Sequence, residues 1–144
     1  MSAAMTPQDR ELRALLGQAH TIAVVGLSSK PGRPSLGVAT YLQEHGYTII
    51  PVNPHEVSVL GERAYASLRD IPAGTQVDVV DVFRRAEHTP EVARDAVAIG
   101  ANVLWLQEGI VNDEAARIAG EAGLDVIMGV CMMKVRQRLD KEDV

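Results

Sequence analysis

The chain has 144 residues, 47% of them hydrophobic and 3% aromatic, and a formal net charge of −5. That length suits one domain that buries its core without disulfide or metal staples, and the apolar share excludes wholesale disorder. The negative charge and the scarcity of rings exclude a basic groove or an aromatic stacking platform for nucleic acid, so any anion site is a local basic pocket on an acidic body.

Met1, Ser2, Ala3, Ala4 and Met5 carry neither a basic start nor a long apolar core, so no signal peptide is expected. No apolar run approaches the roughly 20 residues of a membrane helix. The single cysteine, Cys131, has no intramolecular disulfide partner and makes no thiolate cluster, which suits a soluble, cytoplasmic protein. Thr6, Pro7 and Asp9 read as a helix cap, a first-turn proline and a first-turn acid, with Leu12, Leu15 and Leu16 as the apolar stripe behind them.

Residues 21–25 are a β-branched apolar run, expected as the first strand, and the run stops at Gly26. Leu27, Ser28, Ser29, Lys30, Pro31, Gly32 and Arg33 then form a polar, basic loop. Pro34 and Ser35 open a helix expected over residues 35–45, with Gly46 at its exit. A helix start presents unpaired N–H groups and partial positive charge, so this stretch reads as a phosphate-binding loop.

Residues 47–52 are expected as the second strand, ended by Asn53 and Pro54. Leu60, Gly61 and Glu62 read as a turn, Ala64 and Tyr65 as a short strand, and residues 67–72 as one helical turn. Residues 77–83 form the next strand and run into Arg84 and Arg85. Thr89, Pro90 and Glu91 repeat the cap, proline and acid signal before a helix that reaches about Ile99. A strand over residues 102–106 ends in Gln107, Glu108 and Gly109. Asn112 caps a helix running to about Ala122, a last strand spans 124–128, and a final helix spans 132–138, with the acidic tail beyond it expected to fray.

Alternating strands and helices imply an α/β fold: a Rossmann-like, doubly wound, mostly parallel sheet of about five strands with helices on both faces. Residues 1–144 are expected to form a single domain, flexible over 1–6 and 140–144. A dinucleotide fingerprint needs a second glycine after Gly26 and an acid at the end of strand two. Leu27, Ser28 and the pair Asn53-Pro54 stand there instead, and no Gly-Lys-Ser/Thr loop is present.

The run from Val24 to Ser35, with Val52-Asn53-Pro54, Asp81-Val82-Phe83-Arg84 and Leu104-Trp105-Leu106-Gln107-Glu108-Gly109-Ile110, resembles small stand-alone CoA-binding proteins of bacteria and archaea. These are similar to the N-terminal CoA-binding domain of the succinyl-CoA synthetase alpha subunit. The resemblance covers about residues 8–139. It implies non-catalytic binding of coenzyme A or an acyl-CoA. Ser28, Ser29, Lys30 and Arg33 would cradle phosphate, with Gly26, Leu27 and Ser35 also among the cofactor-binding residues, Val52, Asn53 and Pro54 would line the adenosine side, and Phe83 and Arg84 would flank the ligand. Gln107, Glu108 and Gly109 would lie near the pantetheine arm. Many relatives carry charged or polar residues around the late cysteine, where this chain has Gly129, Val130 and Val135.

Neither catalytic residues nor a metal are expected. His20, His45, His55 and His88 have no metal-ligand spacing and read as surface or turn residues, and Trp105 and Cys131 read as core. The rival readings are an NAD(P)-binding redox protein and an interaction module that has lost its ligand. The expected partner is the small-molecule CoA ligand, with a protein partner or homodimer compatible with the chain, and neither nucleic acid nor a membrane.

Overall fold

The computed structural model describes residues 9–142, and the expected cap at Thr6 and Pro7 lies outside them. In chain order the elements are α1 (Asp9–Gln18), β1 (Thr21–Val25), α2 (Pro34–Glu44), β2 (Thr48–Val52), β3 (Ser58–Val59), β4 (Glu62–Arg63), β5 (Val79–Val82), α3 (Thr89–Ala98), β6 (Val103–Leu106), α4 (Asp113–Glu121), β7 (Asp125–Met128) and α5 (Met132–Glu142). Short 3-10 turns at Leu68–Asp70 and Ala86–His88 precede β5 and α3. The main sheet has five strands in the order β2-β1-β5-β6-β7. Every pairing in it is parallel, with Val24 opposite Pro51 and Asp81, and Asp81 opposite Trp105.

Strand side chains alternate between two faces, and each face has its own helical cover. Ile22, Val24, Val79, Trp105 and Ile127 pack under Leu12 and Leu16 of α1, Val38 and Leu42 of α2, and Met132 and Leu139 of α5. Ala23, Val80, Val82, Leu104 and Leu106 pack under Val92 and Ala96 of α3 and Ala115 and Ala119 of α4. Each fully buried Leu, Ile or Val contributes about 1.5–3 kcal/mol over exposure, so both covers are held by apolar burial. Coverage on both sides explains the unbroken apolar runs of β1 and β6.

Pro51 sits inside β2 without loss because β2 is the edge strand of this sheet. The Val52 carbonyl points inward to the Gly26 N–H, at 2.8 Å, while the Pro51 carbonyl points outward to the Tyr65 N–H, at 3.0 Å. The missing proline N–H therefore lies on the outer edge, where no bond to β1 depends on it.

The structure moves three expected features. The short strand is Glu62–Arg63, paired with Ser58–Val59, while Tyr65 makes one parallel bridge to Val52. Leu60 and Gly61 both have positive φ, 56° and 77°, the geometry of a tight two-residue hairpin turn. Thr89 is not a cap but the first residue of α3, its hydroxyl donating to the Ala86 carbonyl at 2.6 Å, because the 3-10 turn already leads the chain into the helix. Helix α5 runs on to Glu142, past the expected Arg138, with Leu139 buried and Arg136 paired to Asp140 at 3.1 Å.

Candidate functional site

Between β1 and β5 the chain reverses its direction of travel across the sheet. The helix after β1 covers one face and the helix after β5 covers the other, so the two connections diverge and leave a crevice at the strand carboxyl ends. Gly26 is where they come nearest. Its φ is +88°, and a Cβ placed there would lie 2.5 Å from the Phe83 carbonyl oxygen. Only glycine meets both conditions, so Gly26 is required by the frame of the crevice, whatever the crevice holds.

The loop from Leu27 to Arg33 is folded by its own polar groups and by the turn after β2. Leu27 buries its side chain in the core, and its carbonyl accepts from Asn53 Nδ2 at 3.0 Å. The Asn53 side-chain oxygen accepts from the His55 N–H at 2.9 Å, which shapes the turn. The Ser28 N–H donates to Ser35 Oγ, and the Lys30 N–H donates to Ser28 Oγ, each at 3.1 Å. The Ser29 N–H and hydroxyl both donate to the Glu56 carboxylate, at 2.7 and 2.9 Å. Those Ser29 bonds hold the Glu56 carboxyl below its ordinary range, with Lys30 and His55 adding to the effect.

The opposite wall comes from the end of β6 and the start of α5. Gln107 is buried and its side-chain amide donates to Asp81 Oδ1. Asp81 is fully buried on β5, and its other carboxyl oxygen has no hydrogen-bond partner among the described residues. Burial pushes its carboxyl up to about 7, against the opposing pull of the Gln107 bond. Glu108 pairs with Lys134 Nζ at 2.9 Å, and that bond raises the Lys134 ammonium above its usual value. Gly109, at φ +81°, closes the turn, in which the Ile110 N–H donates to the Gln107 carbonyl at 2.9 Å.

The result is an open crevice of about 1020 Å³, with a second hollow of about 580 Å³ on the α3 side of Phe83 and Arg84. Of the residues singled out in the sequence, Gly26, Ser28, Ser29, Lys30, Arg33, Ser35, Asn53, Phe83, Arg84, Gln107 and Glu108 line the larger space. Val52 and Pro54 line the smaller one, while Leu27 and Gly109 line neither and shape the turns instead. Lys30, Arg33 and Arg84 form no ion pair among the described residues.

Sequence reasoning missed His55, Glu56, Met133 and Lys134 as lining residues. For Lys134 the available signal was a cation in the first turn of a helix that follows a strand end. Cys131 lines the crevice while remaining largely buried. Trp105 is fully buried as expected, and its indole N–H donates to the Val130 carbonyl at 2.9 Å. The segment before Cys131 is thus held by its main chain, so Gly129 and Val130 need no polar side chains to be fixed. Among the described residues no three His, Cys, Asp or Glu side chains gather as a metal would require, and no helix is long and apolar enough to cross a membrane.

A five-stranded parallel sheet in this order, with a polar crevice at the reversal, defines a Rossmann-like α/β protein. Residues 20–137 match the model of the CoA binding domain family, and the chain belongs to that family. It is 43% identical over 126 residues to the uncharacterized protein YneT of Bacillus subtilis (strain 168), which spans 88% of this chain and 92% of that one. It is 32% identical over 82 residues to the ADP-forming acetate–CoA ligase II of Archaeoglobus fulgidus, 56% of this chain but 12% of the ligase. A solved structure of a hypothetical protein from Pyrococcus horikoshii OT3 superposes with a TM-score of 0.89 at 41% identity over 92% of each chain.

Proposed function

We propose that the protein binds coenzyme A or an acyl-CoA non-covalently in the switch-point crevice and performs no chemistry on it. The observation that carries this reading is the convergence of Lys30, Arg33 and Arg84, free of ion pairs among the described residues, on a crevice of a CoA-binding-family chain whose net charge is −5. A pyrophosphate and a 3′-phosphate call for such a concentration of cations and donors. Ser28 and Ser29 would add hydroxyls to the phosphate contacts. Val52, Asn53 and Pro54 would face the adenosine, and Gln107 and Glu108 the pantetheine arm. Glu108, the exposed acid of that wall, is engaged by Lys134, which supports binding over acid–base chemistry.

Calorimetric titration with CoA, 3′-dephospho-CoA and NAD tests the reading. Binding of CoA with a dissociation constant on the order of micromolar, weakened by loss of the 3′-phosphate, is expected. Binding of NAD alone would favour the redox alternative, and binding of none of the three would favour an interaction module.

A further inference from the structure

The loop after β1 already holds an anion, and that anion belongs to the chain. Ser29 offers its backbone N–H and its hydroxyl to one carboxylate, that of Glu56, at 2.7 Å to Oε2 and 2.9 Å to each oxygen. These are the kinds of donor an incoming phosphate would seek. Glu56 lies on the connection between β2 and β3, partly exposed, on the wall of the crevice that also carries Lys30 and Arg33. A phosphate on the Ser29 donors with Glu56 still in place would set two anions against the same N–H and O–H groups.

We propose that Glu56 is an internal competitor for the ligand: its carboxylate occupies the Ser29 donors in the free protein, and a phosphate of CoA binds by displacing it into solvent. The inference rests on the CoA reading above. It gives the site a filter, because the 3′-phosphate monoester, or the pyrophosphate bridge taken whole, brings more charge and more acceptor oxygens than the carboxylate it replaces. A singly charged carboxylate ligand has no such advantage. A purely structural tether predicts the opposite behaviour, since removing Glu56 would then loosen the loop and weaken binding.

The test compares CoA affinity in the wild type, Glu56→Gln and Glu56→Ala. Both variants are expected to bind CoA roughly two- to tenfold tighter, the range that loss of a partly exposed, charge-assisted contact allows. Pantetheine, which lacks phosphate, should bind all three equally. Unchanged CoA affinity, or weaker binding by Glu56→Ala that Glu56→Gln restores, overturns the proposal while leaving the CoA reading intact. If the wild type binds no CoA, the CoA reading fails and inorganic pyrophosphate decides the matter, followed at the Ser29 amide by NMR. That amide should respond at lower pyrophosphate concentration in Glu56→Gln than in the wild type. Equal midpoints, or no response in either, overturn the proposal.

Discussion

Two carboxylates do similar work at opposite ends of the sheet. At the amino ends, Asp78 Oδ2 accepts from the His20 and Thr21 N–H groups, at 2.8 and 2.9 Å, and ties the start of β1 to the start of β5. At the carboxyl ends, Glu56 accepts from the N–H and hydroxyl of Ser29. Their surroundings differ. Among the described residues, the hollow beside Asp78 is lined by Glu11, Asp78 and Asp125 and by no lysine or arginine, whereas the crevice beside Glu56 is lined by Lys30, Arg33, Arg84 and Lys134, with Glu108 there paired to Lys134. The amino end repels anions and the carboxyl end gathers cations, so one carboxylate is a fastening and the other stands where a ligand anion would go. Helix polarity reinforces the contrast, because α2 and α3 begin at the carboxyl end.

A third carboxylate, Asp81, sharpens the comparison and gives the largest expected effect. Its folded carboxyl lies at about 7 against an ordinary value of 3.8, so between those limits the native state holds a proton that the unfolded chain releases. Stability therefore falls as pH rises from about 4 to 7, by up to about 4 kcal/mol, and the loss is complete above 7. Asp81→Asn should flatten that slope and be more stable than the wild type at pH 8, as read by chemical denaturation at pH 5 and 8. Parallel pH dependence in the two proteins would contradict this account.

Gly26→Ala attacks the frame of the crevice. A methyl group against the Phe83 carbonyl, at positive φ, should cost about 2–3 kcal/mol and lower Tm accordingly, because backbone rather than a movable side chain stands in the way. Lys30→Ala together with Arg33→Ala should weaken CoA binding by more than about tenfold with little change in Tm, since both side chains are exposed. Undiminished affinity would place the phosphates elsewhere. Asp78→Ala should do the reverse, costing about 1–2 kcal/mol of stability through two unpaired N–H groups while leaving CoA affinity unchanged.

Strands β1 and β6 were the most legible, because both their faces are buried and their apolar runs are unbroken. Trp105 and the cap at Asn112 were legible for similarly local reasons, and the Asn112 side chain does accept from the Ala115 N–H, at 2.8 Å. Gly26 stood out as special, yet what it must clear is the Phe83 carbonyl just past the end of β5, which no local pattern names. Thr89 was misread because a 3-10 turn ahead of it had already begun the helix. Glu56 carried no signal of its own, and Lys134 carried only that of a cation in the first turn of a helix after a strand end. Their meaning depends on the turn after β2 folding back on the first loop and on α5 lying beside the turn after β6. Asp81 did carry one, as a lone acid in the run Val79-Val80-Asp81-Val82, but its pairing with Gln107 is set only by the register of β5 and β6.

The contrast between the two ends of the sheet is tested most directly by amide chemical-shift mapping of the isotope-labelled protein during titration with CoA. Saturating shifts are expected at Ser28, Ser29, Lys30, Arg84, Gln107 and Glu108, with His20, Thr21 and Asp78 unmoved. Shifts centred on His20, Thr21 and Asp78, or none at the loop after β1 with CoA in excess, would contradict the assignment of the carboxyl-end crevice as the CoA site.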